Sequence, residues 1–295
     1  LAEKVENMIV ASADLSNSDK TDGFLKKTHA MRKGDFTGRF LQPGVAEFTM
    51  ACIMNGMALH GGVIPACGTF FVFSDYMKHG IRISALMKLP VLYVLTHDSI
   101  GVGEDGPTHQ PIEQLAALRS MPNVYLWRPA DGKEVAAAYA QALKMEGPSC
   151  FALSRQNLPL YENSGKEAMK GGYILSDSKK ATPDVILMAS GSEVEQAMGA
   201  QKLLADEGID ARVVSMPCFA IFDAQSEEYM LPKAVRARLA VEAATSFGWH
   251  KYVGLDGDVL TIDHFGASAP AAQLFERFGF TAQNVANKAK ALLGK

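Results

Sequence analysis

Residues 96–111 read THDSIGVGEDGPTHQP, a run that gathers His97, His109, Asp98, Glu104 and Asp105 around Gly101, Gly103 and Gly106. Imidazoles and carboxylates on a glycine-rich loop suit hydrogen bonding to hydroxyls, capture of an anion by histidine, or proton transfer. Gly101-x-Gly103-x-x-Gly106 also fits the dinucleotide fingerprint, but that motif must open a helix directly so that free amides meet a pyrophosphate. Here Pro107 follows, no helix is expected before Pro111, and three acids would repel a diphosphate. The fingerprint is rejected. A metal site from His97, Asp98, Asp105 and His109 lacks the spacing of a known ligand set. The bland alternative is a polar surface loop.

Other segments offer matching chemistry. The apolar run Met8–Ala11 leads into SADLSNS, with Asp14 and Ser18, and the run Cys150–Leu153 leads into SRQN, with Arg155. If both runs are parallel strands beside 90–96, then Asp14, His97 and Arg155 share one rim, where open parallel sheets bind ligands. Arg155 reads as an anion clamp or simply as a partner for Asp14. Glu47, in GVAEFTM, opens an apolar helix and precedes a long uncharged stretch ending at Asp75. An acid in a first turn complements the helix dipole; in an apolar setting it could instead share a proton with a ligand nitrogen. Phe70, Phe71, Phe73 and Tyr76 read as core or as a platform for a flat heterocycle.

The elements needed to position these groups follow from the pattern. Strands are expected at 8–11, 63–67, 91–95, 124–127 and 150–153, with helices at 45–59, 74–87, 111–119 and 132–145 between them. Near-continuous apolar strands separated by helices indicate a parallel sheet covered on both faces. Residues 162–183 turn to Gly, Ser, Lys and Asp, after which strands recur at 185–189, 212–215, 239–241 and 259–262. The expectation is an α/β chain of two three-layer α/β/α domains: a mostly parallel sheet in residues 1–162, a linker at 163–183, and a smaller sheet in 184–295. Ser192 and Glu195 are spaced as a capping box, and the Gly191–Ser192 turn could hold an anion, though a simple cap is the plainer reading. The chain of 295 residues is 48% apolar and 21% charged with net charge −3, which gives no footprint for nucleic acid. Uncharged residues 48–74 are interrupted by Asn55, His60, Gly61, Gly62 and Pro65, so they read as buried elements rather than a membrane span. Cys52, Cys67, Cys150 and Cys218 form no CxxC pair and are expected to be reduced and buried, in a cytoplasmic protein. Leu1 stands directly before a strand-like run, so the natural N-terminus is expected upstream.

Taken together, SADLSNSDKT, GVAEFTM, GTFFVFSDY, THDSIGVGEDGPTHQP, WRPADGKEV, LSRQNLP, ASGSEVE and TIDHFGASAPAAQLFERFGFT resemble the transketolase family across essentially the whole chain. That resemblance implies transfer of a two-carbon ketol unit from a ketose phosphate to an aldose phosphate through thiamine diphosphate, in the pentose phosphate pathway. Glu47 then matches the glutamate that bonds the aminopyrimidine ring. Phe70, Phe73 and Tyr76 match the pocket around that ring, and Asp14 matches an acid near the cofactor at a subunit interface. His97, Asp105 and His109 match groups lining the sugar channel; Ser18 and Arg155 match positions holding the sugar phosphate. The family's Gly-Asp-Gly turn, which with a later Asn binds the diphosphate and a divalent metal (Mg or Ca), does not occur in this chain. The expectation is therefore the pyrimidine-binding and C-terminal domains only, inactive without a diphosphate-binding domain on a homodimer mate or partner chain. A fragment, a split-gene subunit and a stand-alone relative all fit that description. The rival readings are the β-type subunit of a thiamine-dependent 2-oxo acid dehydrogenase and a non-catalytic dimerising relative.

Overall fold

The computed structural model describes residues 1–225 and 228–295. The first sheet contains β1 (Met8–Ser12), β2 (Phe40–Leu41), β3 (Ile64–Phe70), β4 (Leu92–Thr96), β5 (Tyr125–Trp127) and β6 (Ser149–Leu153). Its order is β2-β1-β3-β4-β6-β5, and every pairing is parallel. The strands are almost wholly buried because helices cover both faces. On one face Met50, Met54, Phe71, Met77 and Ile81 pack against Cys67, Tyr93 and Leu95; on the other Phe40, Trp127 and Phe151 pack with Ala138 and Met8. Phe71 is thus core, not platform.

The second sheet contains β7 (Tyr173–Ser176), β8 (Val185–Ala189), β9 (Ala211–Ser215), β10 (Arg238–Val241) and β11 (Asp258–Leu260), in the order β11-β10-β8-β9-β7. Only β7 runs antiparallel, against β9. It lies inside the stretch expected as linker. The polar composition there hid a strand whose alternate residues, Tyr173 and Leu175, are buried while Ile174 and Ser176 are half-covered. β2, with two residues, was too short to carry a pattern.

Two details at residues 190–195 differ from expectation. Ser192 Oγ donates to Glu193 Oε1 at 2.5 Å rather than capping a backbone amide, and the helix Val194–Asp206 has no side-chain cap. The Gly191 turn holds a cation instead of an anion: with φ +58, a Cβ there would stand 2.7 Å from the Arg128 Cζ, so only glycine lets the guanidinium approach.

Arg128, fully buried just beyond β5, joins the two sheets. Its Nε donates to Asp98 Oδ2 at 2.9 Å, and one terminal nitrogen donates to the Ser190 carbonyl at 2.8 Å and to Glu193 Oε2 at 2.5 Å. Arg119 binds both oxygens of Glu242, at 2.5 and 2.7 Å, and lies 3.8 Å over the Phe219 ring. Burial works against the charge of Glu242, but Arg119 first and Arg128 second outweigh it and hold that carboxyl at about 2. Burial pushes the Glu193 carboxyl up, more than Arg128 pulls it down. Ile100, Ile112, Ala130 and Ala137 of the first half sit in the same apolar cluster as Leu187, Ile209 and Val213 of the second, while Ile186, Met216 and Trp249 belong to a cluster of the second half alone.

Removing one member of such a buried set strands the others. Arg128→Leu should lower the unfolding free energy by about 3–5 kcal/mol. Denaturant titration followed by far-UV circular dichroism measures this; a loss below about 1 kcal/mol would show that the network contributes little net stability.

Candidate functional site

Parallel register brings several strand ends to one rim. Ser12 pairs with Gly68, Phe70 with Thr96, and Thr96 with Leu153, so the residues following β1, β3, β4 and β6 emerge side by side. The helix Glu47–His60 precedes β3 in a parallel crossover, which puts its N-terminus at the same end.

His97 leaves β4 with a left-handed backbone, φ +64, uncommon for any side chain but glycine. Its ring stacks on Phe70 at 3.7 Å with 22° between planes. Phe70 stacks on Phe73 at 6.0 Å, and Phe73 on Tyr76 at 6.0 Å, forming a ledge that runs from buried His97 to exposed Tyr76. His109 meets Phe73 and Phe70 edge-on, at 5.5 and 6.4 Å, so both histidines of the loop converge on one pair of rings. Burial, reinforced by Arg155, pushes the His97 imidazole down to about 4, with Asp105 opposing. Its Nδ1 lies 3.0 Å from the Thr96 hydroxyl.

Beside His97 is a cavity of about 520 Å³ whose wall includes Ser18, Lys20, Ser154, Arg155 and Asn157. Arg155 is exposed and makes no ion pair among the described residues, with Asp14 or any other acid. Asp14 is exposed at the end of β1 with φ +65, and Asp105 is exposed on the loop. Glu47 is buried, 6% exposed, at the start of its helix, and no side-chain hydrogen bond or ion pair involves it among the described residues. Nor does any hydrogen bond or ring contact among the described residues link Glu47 or Asp14 directly to the histidine ledge. Three cysteines are buried and free as expected, with burial pushing the Cys218 thiol up to about 12; Cys52 is exposed, on the outward face of the Glu47 helix.

The glycines of the loop have backbone reasons. Gly103 and Gly106 take φ +85 and +75. The loop they shape is gripped by the second half of the chain: Gln110 Nε2 donates to the carbonyls of Gly103 and Ala267, each at 2.9 Å, and Ser268 Oγ donates to the Glu104 carbonyl at 2.5 Å. Asp98, adjacent to His97, is held by Arg128. Sequence reasoning named Asp98 only as a repelling charge or a metal ligand and gave Arg128 no role. The available signal was an arginine just beyond the end of a buried strand, like the one that marked Arg155. Among the described residues no cluster of three or more His, Cys, Asp or Glu could hold a metal, and no helix is long and apolar enough to cross a membrane.

The family description "transketolase, pyrimidine binding domain" matches residues 1–160, and "transketolase-like TK C-terminal domain" matches 171–281. The chain belongs to the transketolase family. It is 52% identical to a transketolase of Bacillus subtilis (strain 168) over 100% of its own length and 45% of that relative's. Thus it spans less than half of the relative. A transketolase structure from Pichia stipitis, in complex with sedoheptulose 7-phosphate, superposes with a TM-score of 0.93 at 43% identity, over 99% of this chain and 44% of that one. A structure described as a split-gene transketolase, inactive β4 tetramer, matches over 100% of this chain and 94% of its own, with a TM-score of 0.79 at 29% identity. Every segment that carried the transketolase resemblance lies within the matched chain.

The His97 shift carries a sign. Between about pH 4 and the ordinary 6.5 the unfolded chain binds a proton that the folded chain refuses, so stability falls as pH drops through that window. His97→Asn, whose side chain tolerates left-handed backbone, should remove about 1–3 kcal/mol of that pH dependence relative to the parent. Histidine NMR should also find one imidazole, absent in the variant, titrating near pH 4.

Proposed function

We propose that the chain supplies the pyrimidine side and the sugar channel of a transketolase, moving a two-carbon ketol unit between sugar phosphates, and that it is silent alone. The observation that carries the reading is the rim: a buried Glu47, without a side-chain partner among the described residues, at the strand end that also bears the stacked ledge of His97, Phe70, Phe73 and Tyr76. A carboxylate with no partner among the described residues fits a ligand that brings a nitrogen donor, and a ring ledge fits a flat heterocycle; both suit the aminopyrimidine of thiamine diphosphate. That cofactor supplies the carbanion chemistry when bound. Glu47 shares a proton with the pyrimidine, while Phe70, Phe73 and Tyr76 orient the ring and exclude water. Neutral His97 and half-buried His109 bond sugar hydroxyls. Asp105 reads the donor's hydroxyl configuration, Ser18 and Arg155 hold the phosphate, and Asp14 lies towards the subunit interface. A divalent metal and the diphosphate belong to residues outside this chain.

A second chain fits the exposed side of the same elements. The helix Glu47–His60 is apolar outward as well as inward, with Phe48, Ile53 and Leu59 exposed to solvent, and a helix apolar all round belongs in an interior. The proposed occupant carries the diphosphate-binding domain, in a homodimer or a two-gene assembly. The description of the split-gene relative as inactive supports the expectation of silence. The pyrimidine-type domain is taken to end near Glu162, and the C-terminal domain to begin at β7.

In an assembly reconstituted with the diphosphate-binding half, ketose phosphate should serve as donor and a 2-oxo acid should not; the reverse preference points to the dehydrogenase subunit. Glu47→Ala should lower kcat by about 10²–10⁴ in that assembly with oligomerisation intact. Full activity in the variant, or turnover by the chain with no partner added, would overturn the proposal.

A further inference from the structure

The cavity beside His97 contains a cation to which the family resemblance assigns no role. Lys20 lines it together with Ser18, His97, Ser154 and Arg155. Its neighbour Asp19 forms no ion pair with it and uses both carboxylate oxygens in hydrogen bonds. Asp19 is 1% exposed; its Oδ2 accepts from the Ser12 hydroxyl at 2.6 Å, and its Oδ1 accepts from the Thr21 amide and hydroxyl at 2.9 and 2.7 Å. Those bonds also tie together the residues on either side of Lys20, which has φ +65. The root of the lysine side chain is therefore fixed at the cavity wall. The Nζ donates only to a carbonyl, that of Asn17 at 3.1 Å, and no carboxylate pairs with it among the described residues. Arg155, on the same cavity, is likewise without a carboxylate partner among the described residues. Burial of His97 is the main reason its imidazole stays neutral, and both cations add to it against Asp105 and Asp19.

Two positive charges facing one cavity, neither in an ion pair among the described residues, repel each other, and a dianion that enters satisfies both. We propose that Lys20 is a second cationic ligand for the phosphate of the sugar, which makes the cavity select dianionic phosphate monoesters over neutral or monoanionic ligands. The inference rests on the reading of this cavity as the phosphate end of the sugar channel. Arg155 offers a planar fork and Lys20 a mobile point charge, so the two divide geometry and charge between them. Lys20→Gln keeps a long polar side chain and the left-handed backbone cost while removing the charge.

The test uses inorganic phosphate at pH 8 and low salt, titrated into this chain and followed by calorimetry and by the imidazole resonances. Lys20→Gln should weaken phosphate binding about fivefold and Lys20→Arg should bring it back to within about twofold of the parent. The monoanion methanesulfonate should lose less than phosphate, so the preference for the dianion narrows in Lys20→Gln. Arg155→Gln should weaken phosphate by about tenfold or more. If Arg155→Gln loses binding and Lys20→Gln does not, the role of Lys20 is overturned and the cavity reading stands. If the parent chain binds no phosphate, or neither variant changes its affinity, the cavity reading fails and the proposal with it.

Discussion

The guanidinium of Arg128 is the point at which the two sheets become one object. A charge removed wholly from water is tolerated only with its partners in place. Asp98, the Ser190 carbonyl and Glu193 must therefore all reach it, and they come from 30 residues before it and more than 60 after it. Asp98 is the residue beside His97. The same contact that docks the second sheet thus sets where β4 ends and the histidine loop begins. Gln110 and Ser268 repeat the arrangement further along the loop, each using a carbonyl rather than a charge. The C-terminal half, which carries none of the proposed site residues, is in this way the mount on which the loop is held.

The rim itself is built from a few local conflicts that tertiary structure overrides. His97 adopts a backbone that disfavours side chains, and its ring is pressed flat on Phe70. Desolvation and the nearby cations remove its charge, leaving an imidazole that donates or accepts as its tautomer allows. Further in, Asn55, Ser84 and Tyr93 form a buried polar set: Tyr93 Oη lies 2.6 Å from Ser84 Oγ and donates to Asn55 Oδ1 at 3.0 Å. That set pins the helices Glu47–His60 and Ser74–Leu86 (the latter carrying Tyr76) to β4. One side of the site is thereby tied to the other through the core.

Much of this was legible beforehand, and for identifiable reasons. Buried parallel strands are apolar throughout, so β1, β3, β4, β6, β8 and β10 stood out, and polar residues directly after them marked Asp14, His97 and Arg155. The order of motifs carried the family. What stayed hidden depends on distance along the chain. Nothing near Arg128 names Asp98 or Glu193 as its partners, and nothing near Gly191 says that a guanidinium will occupy the turn. β7 escaped because an edge strand needs only every second residue buried, and Ser and Lys around it masked that period. The expectation for Cys52 failed because a helix apolar on all sides does not say which face the protein itself covers.

That last ambiguity has a thermodynamic side. Phe48, Ile53 and Leu59 hold oily surface against water at a standing cost, since the fold already exists without covering them. Any molecule that settles there and ignores the denatured chain will raise the melting temperature in proportion to the logarithm of its concentration. The resistance of this polypeptide to unfolding is then a property of its company and its dilution as much as of its sequence.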